Sequence, residues 1–118
     1  MKKLKQNFKR PDISPYRSIF ERIEADILSG RMAPGQKLPA IRYLAEQFSV
    51  NPNTVQRAFT ELKRAGLIFG ERGLGSFVTK DTQLIQRCRE ARTQQLIGEL
   101  QAQLQALGFS ASEILRML

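Results

Sequence analysis

A chain of 118 residues with a formal net charge of +8 holds one small domain and an accessory element, too little for two full-sized domains. One cysteine, Cys88, and no histidine exclude an internal disulfide and the usual zinc-ligand sets, so no metal or other cofactor is expected and the protein reads as intracellular. No apolar run approaches membrane-spanning length, and the basic start lacks the uninterrupted apolar segment of a signal peptide, which points to the cytoplasm and away from a membrane.

Charge is unevenly spread. Residues 1–80 carry 15 Lys or Arg against 7 Asp or Glu, whereas residues 81–118 carry 4 against 4. The surplus marks the first part of the chain as the partner of a polyanion. It begins with a basic arm over residues 1–13, which contains Lys2, Lys3, Lys5, Lys9 and Arg10 and reads either as a source of phosphate contacts or as a solvated tail.

Ser14-Pro15 opens the first expected helix, with a capping hydroxyl before a proline whose missing N–H costs nothing at that position. Up to Leu28 the set Ile19, Phe20, Ile23, Ile27 and Leu28 shares one face. Tyr16 reads as core packing or a dimer contact. Pro34-Gly35 suits a type II turn, and Lys37-Leu38 is expected to form a very short third strand beside the hairpin further on.

Ala40 to Phe48 is the second helix, with Ile41, Leu44, Ala45 and Phe48 inward. Arg42 stands exposed at its start, where the helix dipole favours negative charge; a DNA phosphate or base edge explains it, as would a surface pair with Glu46. Asn51 as N-cap and Pro52 as first residue open a third helix to Ala65, with Val55, Ala58, Phe59 and Leu62 inward. Pointing out are Asn53, Thr54, Gln56, Arg57, Thr60, Lys63 and Arg64, all hydrogen-bonding or cationic. Gly66 stops the helix as a left-handed residue.

Leu67 to Glu71 and Ser76 to Thr79 then flank Arg72-Gly73-Leu74-Gly75, a hairpin tip with glycines for positive φ. Phe69, Phe77 and Val78 are expected to pack the hairpin onto the helices. The sum is a mainly α fold with a small β-hairpin, a winged helix-turn-helix over residues 14–80, and its natural partner is duplex DNA. Thr54, the helix N-terminal amides, Arg57, Lys63 and Arg64 are candidates for phosphates, and Asn53 and Gln56 for base edges. Arg72, Gly73 and Gly75 suit close approach to a backbone or minor groove, unless the glycines only tighten the turn.

From Asp81 the composition shifts to Gln, Glu, Arg, Leu and Ala, which makes a helix over Thr82 to Leu107 despite Gly98. Ile85, Cys88, Leu96, Leu100, Leu104 and Leu107, with Ile97 and the Arg92 stem, mark a seam. Ser110 to Glu113 is a capping box for a last short helix bearing Ile114, Leu115, Met117 and Leu118. This tail, residues 81–118, is expected to form a helical dimerisation element, because the seam exceeds what one small domain covers; packing on its own domain is the alternative. Cys88 reads as a buried cysteine rather than a redox switch.

Gly30-x-x-x-Pro34-Gly35-x-x-Leu38-Pro39-x-x-Arg42-x-Leu44-Ala45, then Val50-x-x-x-Thr54-Val55-x-x-Ala58, then Leu62-x-x-x-Gly66-Leu67-Ile68, and Gly73-x-Gly75-x-Phe77-Val78 resemble the N-terminal winged helix of the GntR family of bacterial transcription regulators. The brevity of the chain and its Asn-Pro-Asn-Thr-Val segment resemble the YtrA-like subfamily, in which a short helical tail replaces the effector domain. The resemblance implies a repressor of an operon such as one encoding an ABC transporter. By motif it assigns DNA contacts to Arg42, Thr54 and the Gly73 to Gly75 wing. Where the family often has Ser or Thr then Arg, this chain has Asn51 and Pro52, and where it often has a further Arg this chain has Gln56, an amide able to pair with adenine. The operator of longer relatives is therefore not carried over to this chain.

A two-fold dimer would read an inverted-repeat operator, and a small-molecule effector would act by changing the angle between the two DNA-binding heads. The competing classes are an activator and a protein-interaction or hydrophobic effector-sensing module built on the winged fold. An enzyme is excluded: without histidine, and with its acids scattered over helical surfaces, the chain offers no convergent acid–base or nucleophile–base pair.

Overall fold

The computed structural model describes residues 14–118, so the basic arm expected over residues 1–13 lies outside the described residues. Helix α1 runs Pro15–Leu28 and buries Ile19, Phe20, Ile23, Ile27 and Leu28 as one apolar face. Ser14 has the extended backbone of an N-cap, but its hydroxyl makes no capping bond. The expected side-chain cap is replaced by the Ser14 carbonyl, which accepts from the Arg17 and Ser18 amides at 3.1 Å each. Proline at the first position already fixes φ and has no N–H to satisfy, so the turn closes without the hydroxyl.

Helix α2 covers Ile41–Phe48 and α3 covers Pro52–Arg64, each one residue shorter at one end than its pattern suggests. Between them Ser49 takes the left-handed conformation, φ 57° and ψ 48°, and the Val50 amide returns to the Ala45 carbonyl at 3.0 Å. This is the only positive φ at a non-glycine residue among the described residues, and no glycine in the sequence announced it. The reversal lets Asn51 cap α3, its side-chain oxygen accepting the Asn53 amide at 2.8 Å. Helix α3 is the centre of the domain: α1 and α2 both pack on it, and its Val55, Ala58, Phe59 and Leu62 are buried almost completely. Ile41, expected inward with Leu44, Ala45 and Phe48, is only half-buried.

Strands β1 (Ile68–Glu71) and β2 (Gly75–Val78) pair antiparallel, with Ile68 opposite Val78, Phe69 opposite Phe77 and Glu71 opposite Gly75. Ile68 and Val78 are buried, while Phe69 and Phe77 are half-buried and stack on each other, ring centroids 5.7 Å apart. In place of the expected third strand, the sheet keeps two strands and Lys37 forms an isolated bridge with Phe77: the Leu38 amide donates to the Ser76 carbonyl and the Val78 amide to the Gln36 carbonyl, both at 2.8 Å. The preceding turn closes from the Gln36 amide to the Ala33 carbonyl at 3.0 Å, with Gly35 at φ +80°, as a type II turn requires.

The chain divides into two compact units, one ending at Ile85 and one covering Gln86–Leu118. The division falls within α4, Thr82–Ala106, whose start is capped by the Asp81 carboxylate accepting the Leu84 amide at 3.0 Å. Gly98 does not interrupt it. The second unit ends in α5, Ala111–Met117, opened by the expected capping box: the Ser110 amide donates to Glu113 at 2.8 Å and the Glu113 amide to the Ser110 hydroxyl at 3.2 Å. The Ser110 amide first, and then the Ser110 side chain, hold the Glu113 carboxyl below the ordinary glutamate range. Among the described residues no helix is long and apolar enough to cross a membrane.

Candidate nucleic-acid interface

The residues that fix α3 in the core also decide what it shows to solvent. With Val55, Ala58, Phe59 and Leu62 inward, helical geometry turns Asn53, Gln56, Arg57, Thr60, Lys63 and Arg64 outward, and all six are exposed, with Thr54 half-buried at the edge. The one acid on this helix, Glu61, is taken by Arg64 at 2.6 Å. Arg64 is thus tied to its own helix, whereas Arg57 and Lys63 make no ion pair among the described residues. The helix N-terminal amides do not match their expected role. Pro52 has no N–H, the Asn53 amide is held by the Asn51 side chain, and the Thr54 amide donates to the Asn51 carbonyl at 2.9 Å. The cap thereby satisfies the donors that a phosphate would otherwise meet.

Arg42 stands exposed in the first turn of α2, and no pair with Glu46 forms. At the wing, the Leu74 amide closes the tip onto the Glu71 carbonyl at 2.9 Å, leaving Arg72, Gly73, Leu74 and Gly75 all exposed. Gly75 adopts φ +114°, and a side chain there would meet Lys37 Cε at 3.1 Å. Lys37 therefore lies along the bare wing backbone. Sequence reasoning placed it only as strand filler; the signal available was a lysine in the strand expected beside the wing.

Two hollows flank this surface. One, of about 250 Å³, lies between the start of α1 and the start of α3 and is lined by Ser14, Pro15, Tyr16, Asn53, Thr54 and Arg57. The Arg57 guanidinium sits 3.8 Å from the centre of the Tyr16 ring. Tyr16, read from sequence as core or dimer contact, is half-buried and stacked against a candidate DNA contact. The other, of about 590 Å³, separates the wing residues Leu74, Gly75 and Ser76 from the segment Lys37 to Ile41, with Phe59 among its lining residues. Among the described residues no cluster of potential metal ligands occurs.

The tail presents a different chemistry. Helix α4 buries none of its residues. Of its expected seam, Leu96, Leu100 and Leu107 are 48%, 46% and 75% exposed, and Ile85, Cys88 and Leu104 are half-buried. On α5, Leu115 is 71% exposed, whereas Ile114 is buried in the single chain, at 3%.

The fold is shared with known proteins. The family described as "Bacterial regulatory proteins, gntR family" matches residues 15–78. The uncharacterized HTH-type transcriptional regulator YhcF of Bacillus subtilis is 31% identical over 100 residues, covering 85% of this chain and 83% of YhcF. The HTH-type transcriptional repressor YtrA of the same organism is 41% identical over 66 residues, 56% of this chain and 51% of YtrA.

Among solved structures, a GntR family transcriptional regulator from Listeria monocytogenes superposes with a TM-score of 0.85 at 29% identity, over 92% of this chain and 96% of that one. The AraR DNA-binding domain in complex with operator ORR3 gives 0.54 at 32% identity, over 61% of this chain and 93% of that one. A winged helix-turn-helix with this order of elements, matched over residues 15–78, makes the chain a DNA-binding transcription regulator, not an enzyme, and it belongs to the gntR family of bacterial regulatory proteins.

Proposed function

We propose that the chain is a homodimeric repressor that inserts α3 into the major groove of each half of an inverted-repeat operator. The observation that carries this reading is the two-sidedness of α3: Val55, Ala58, Phe59 and Leu62 are fully buried while Asn53, Gln56, Arg57 and Thr60 are exposed. Asn53 and Gln56 read base edges, Arg42, Thr54, Arg57 and Lys63 hold phosphates, and Arg72 with Gly73 and Gly75 follows the adjacent minor groove. Arg64, bound to Glu61, contributes less.

The tail supplies the two-fold. A 25-residue helix that buries nothing in the single chain, with Leu96, Leu100 and Leu107 exposed and Cys88 and Leu104 beside them, is covered by the same seam of a second copy, with Leu115 of α5 joining it. Repression is supported by YtrA, which is named a repressor; the repressed operon encodes an ABC transporter, the protein acts in the cytoplasm, and a small-molecule effector shifts the disposition of the two heads. Selection of bound duplexes from a random pool tests the core of it. An inverted repeat is the expected product; recovery of a single asymmetric half-site, or of no preferred sequence, refutes the dimeric operator reading.

A further inference from the structure

We infer that Tyr16 is a positioning residue for DNA binding: its ring holds the Arg57 guanidinium over the gap between α1 and α3, fixing Arg57 on the phosphate backbone and off the base edges. The inference rests on the reading of α3 as the DNA-facing helix. Arg57 is exposed and makes no ion pair among the described residues, yet its guanidinium lies 3.8 Å from the Tyr16 ring centre, within the range of a cation–π contact. A long arginine otherwise loses considerable rotamer freedom when it docks on a phosphate. Stacking settles that cost in the free protein, and the planar cation keeps its edge N–H groups for a phosphate oxygen while its face is on the ring.

Position decides the kind of contact. Tyr16 belongs to the first turn of α1, and Arg57 shares a hollow with Ser14, Pro15, Asn53 and Thr54. An arginine drawn toward the neighbouring helix is displaced from the part of the outward face of α3 where Gln56 stands, which does not line that hollow. Backbone contacts position a protein without reading sequence, so loss of the stack should weaken specific and non-specific duplexes alike.

The test uses the full chain with a duplex selected from a random pool and a scrambled duplex of the same length. Arg57→Met should weaken both by about tenfold or more and lower the slope of log affinity against log salt by about one per protomer. Tyr16→Leu, which keeps an apolar side chain but has no ring, should weaken both about fivefold, Tyr16→Phe should bind like the wild type, and Tyr16→Leu should add nothing in the Arg57→Met background. In the wild type the Arg57 side-chain protons should be shifted upfield by the ring current and stay so on DNA, a readout that needs no variant to fold. Wild-type affinity in a folded Tyr16→Leu, or loss of that shift in the complex, overturns the positioning role while Arg57→Met still reports on the contact. Wild-type affinity in Arg57→Met overturns the contact itself, and an absence of duplex binding by the wild type overturns the underlying reading.

Discussion

A side chain added at Gly66 would stand 3.1 Å from Leu84 Cδ2, so the residue that ends α3 and the first turn of α4 meet at a point where only a hydrogen fits comfortably. Gly66 is also left-handed, at φ +81°. Gly66→Ala therefore bears two costs, about 1–2 kcal/mol for the left-handed backbone and a further cost for moving Leu84. Gly30, at φ +86°, has open space where its side chain would be, and Gly30→Ala bears the first cost alone. Urea unfolding should rank Gly66→Ala as the more destabilised of the two; equal losses would show that Leu84 yields freely.

Asn51 separates stability from binding. Its side-chain oxygen caps α3 through the Asn53 amide, and aspartate caps equally well while gaining from the helix dipole. Asn51→Asp should fold with undiminished stability, yet it places a carboxylate at the end of α3 that the proposed docking turns toward the phosphates. Operator affinity should fall, most steeply at low salt where screening is weakest. Asn51→Ala should cost about 1 kcal/mol of stability. Unchanged affinity in Asn51→Asp at low salt would place the N-terminus of α3 away from the DNA backbone.

The contrast between what the chain announced and what it concealed follows from range. Asn51-Pro52, Gly66 and the inward set of α3 are local signals, each fixed by residues within a turn or two, and they located the recognition helix to within one residue. The Arg57 stack on Tyr16 and the Lys37 stem over Gly75 join residues far apart in sequence, through packing that periodicity does not encode. Ser49 escaped for another reason: its left-handed φ is imposed by the reversal between α2 and α3, although serine has no intrinsic preference for it. The spent amides of α3 were hidden because the same Asn51 that marks a helix start also uses up its donors.

Arg42 and Gln56 are both exposed, and Arg42 has no ion pair among the described residues, so neither contributes much to the folded chain. Arg42→Ala and Gln56→Ala should each leave stability within about 0.5 kcal/mol of the wild type. In binding they diverge. Gln56→Ala should cost about 1–3 kcal/mol on the selected duplex and relax preference at one position of each half-site. Arg42→Ala should weaken binding to all duplexes and flatten the salt dependence. Competition titrations against single-base variants of the operator distinguish the two, and a uniform loss in Gln56→Ala would move it from base reading to backbone contact.

The tail seam is open to a similar separation. Since α4 buries no residue within the chain, replacing both Leu96 and Leu100 with lysine removes apolar surface that only a second copy would cover. The paired substitution should yield a monomer by sedimentation, with a melting temperature independent of protein concentration where that of the wild type rises with it. The winged domain, whose core of Phe59, Ile19, Ile27, Leu62 and Val55 lies elsewhere in the chain, should stay folded and keep its affinity for a single half-site. On the full inverted repeat the loss should be far larger, because two linked heads gain about 10²–10⁴ over one. A variant that still sediments as a dimer and binds the full operator as the wild type does would show that Leu96 and Leu100 are not what joins the two copies.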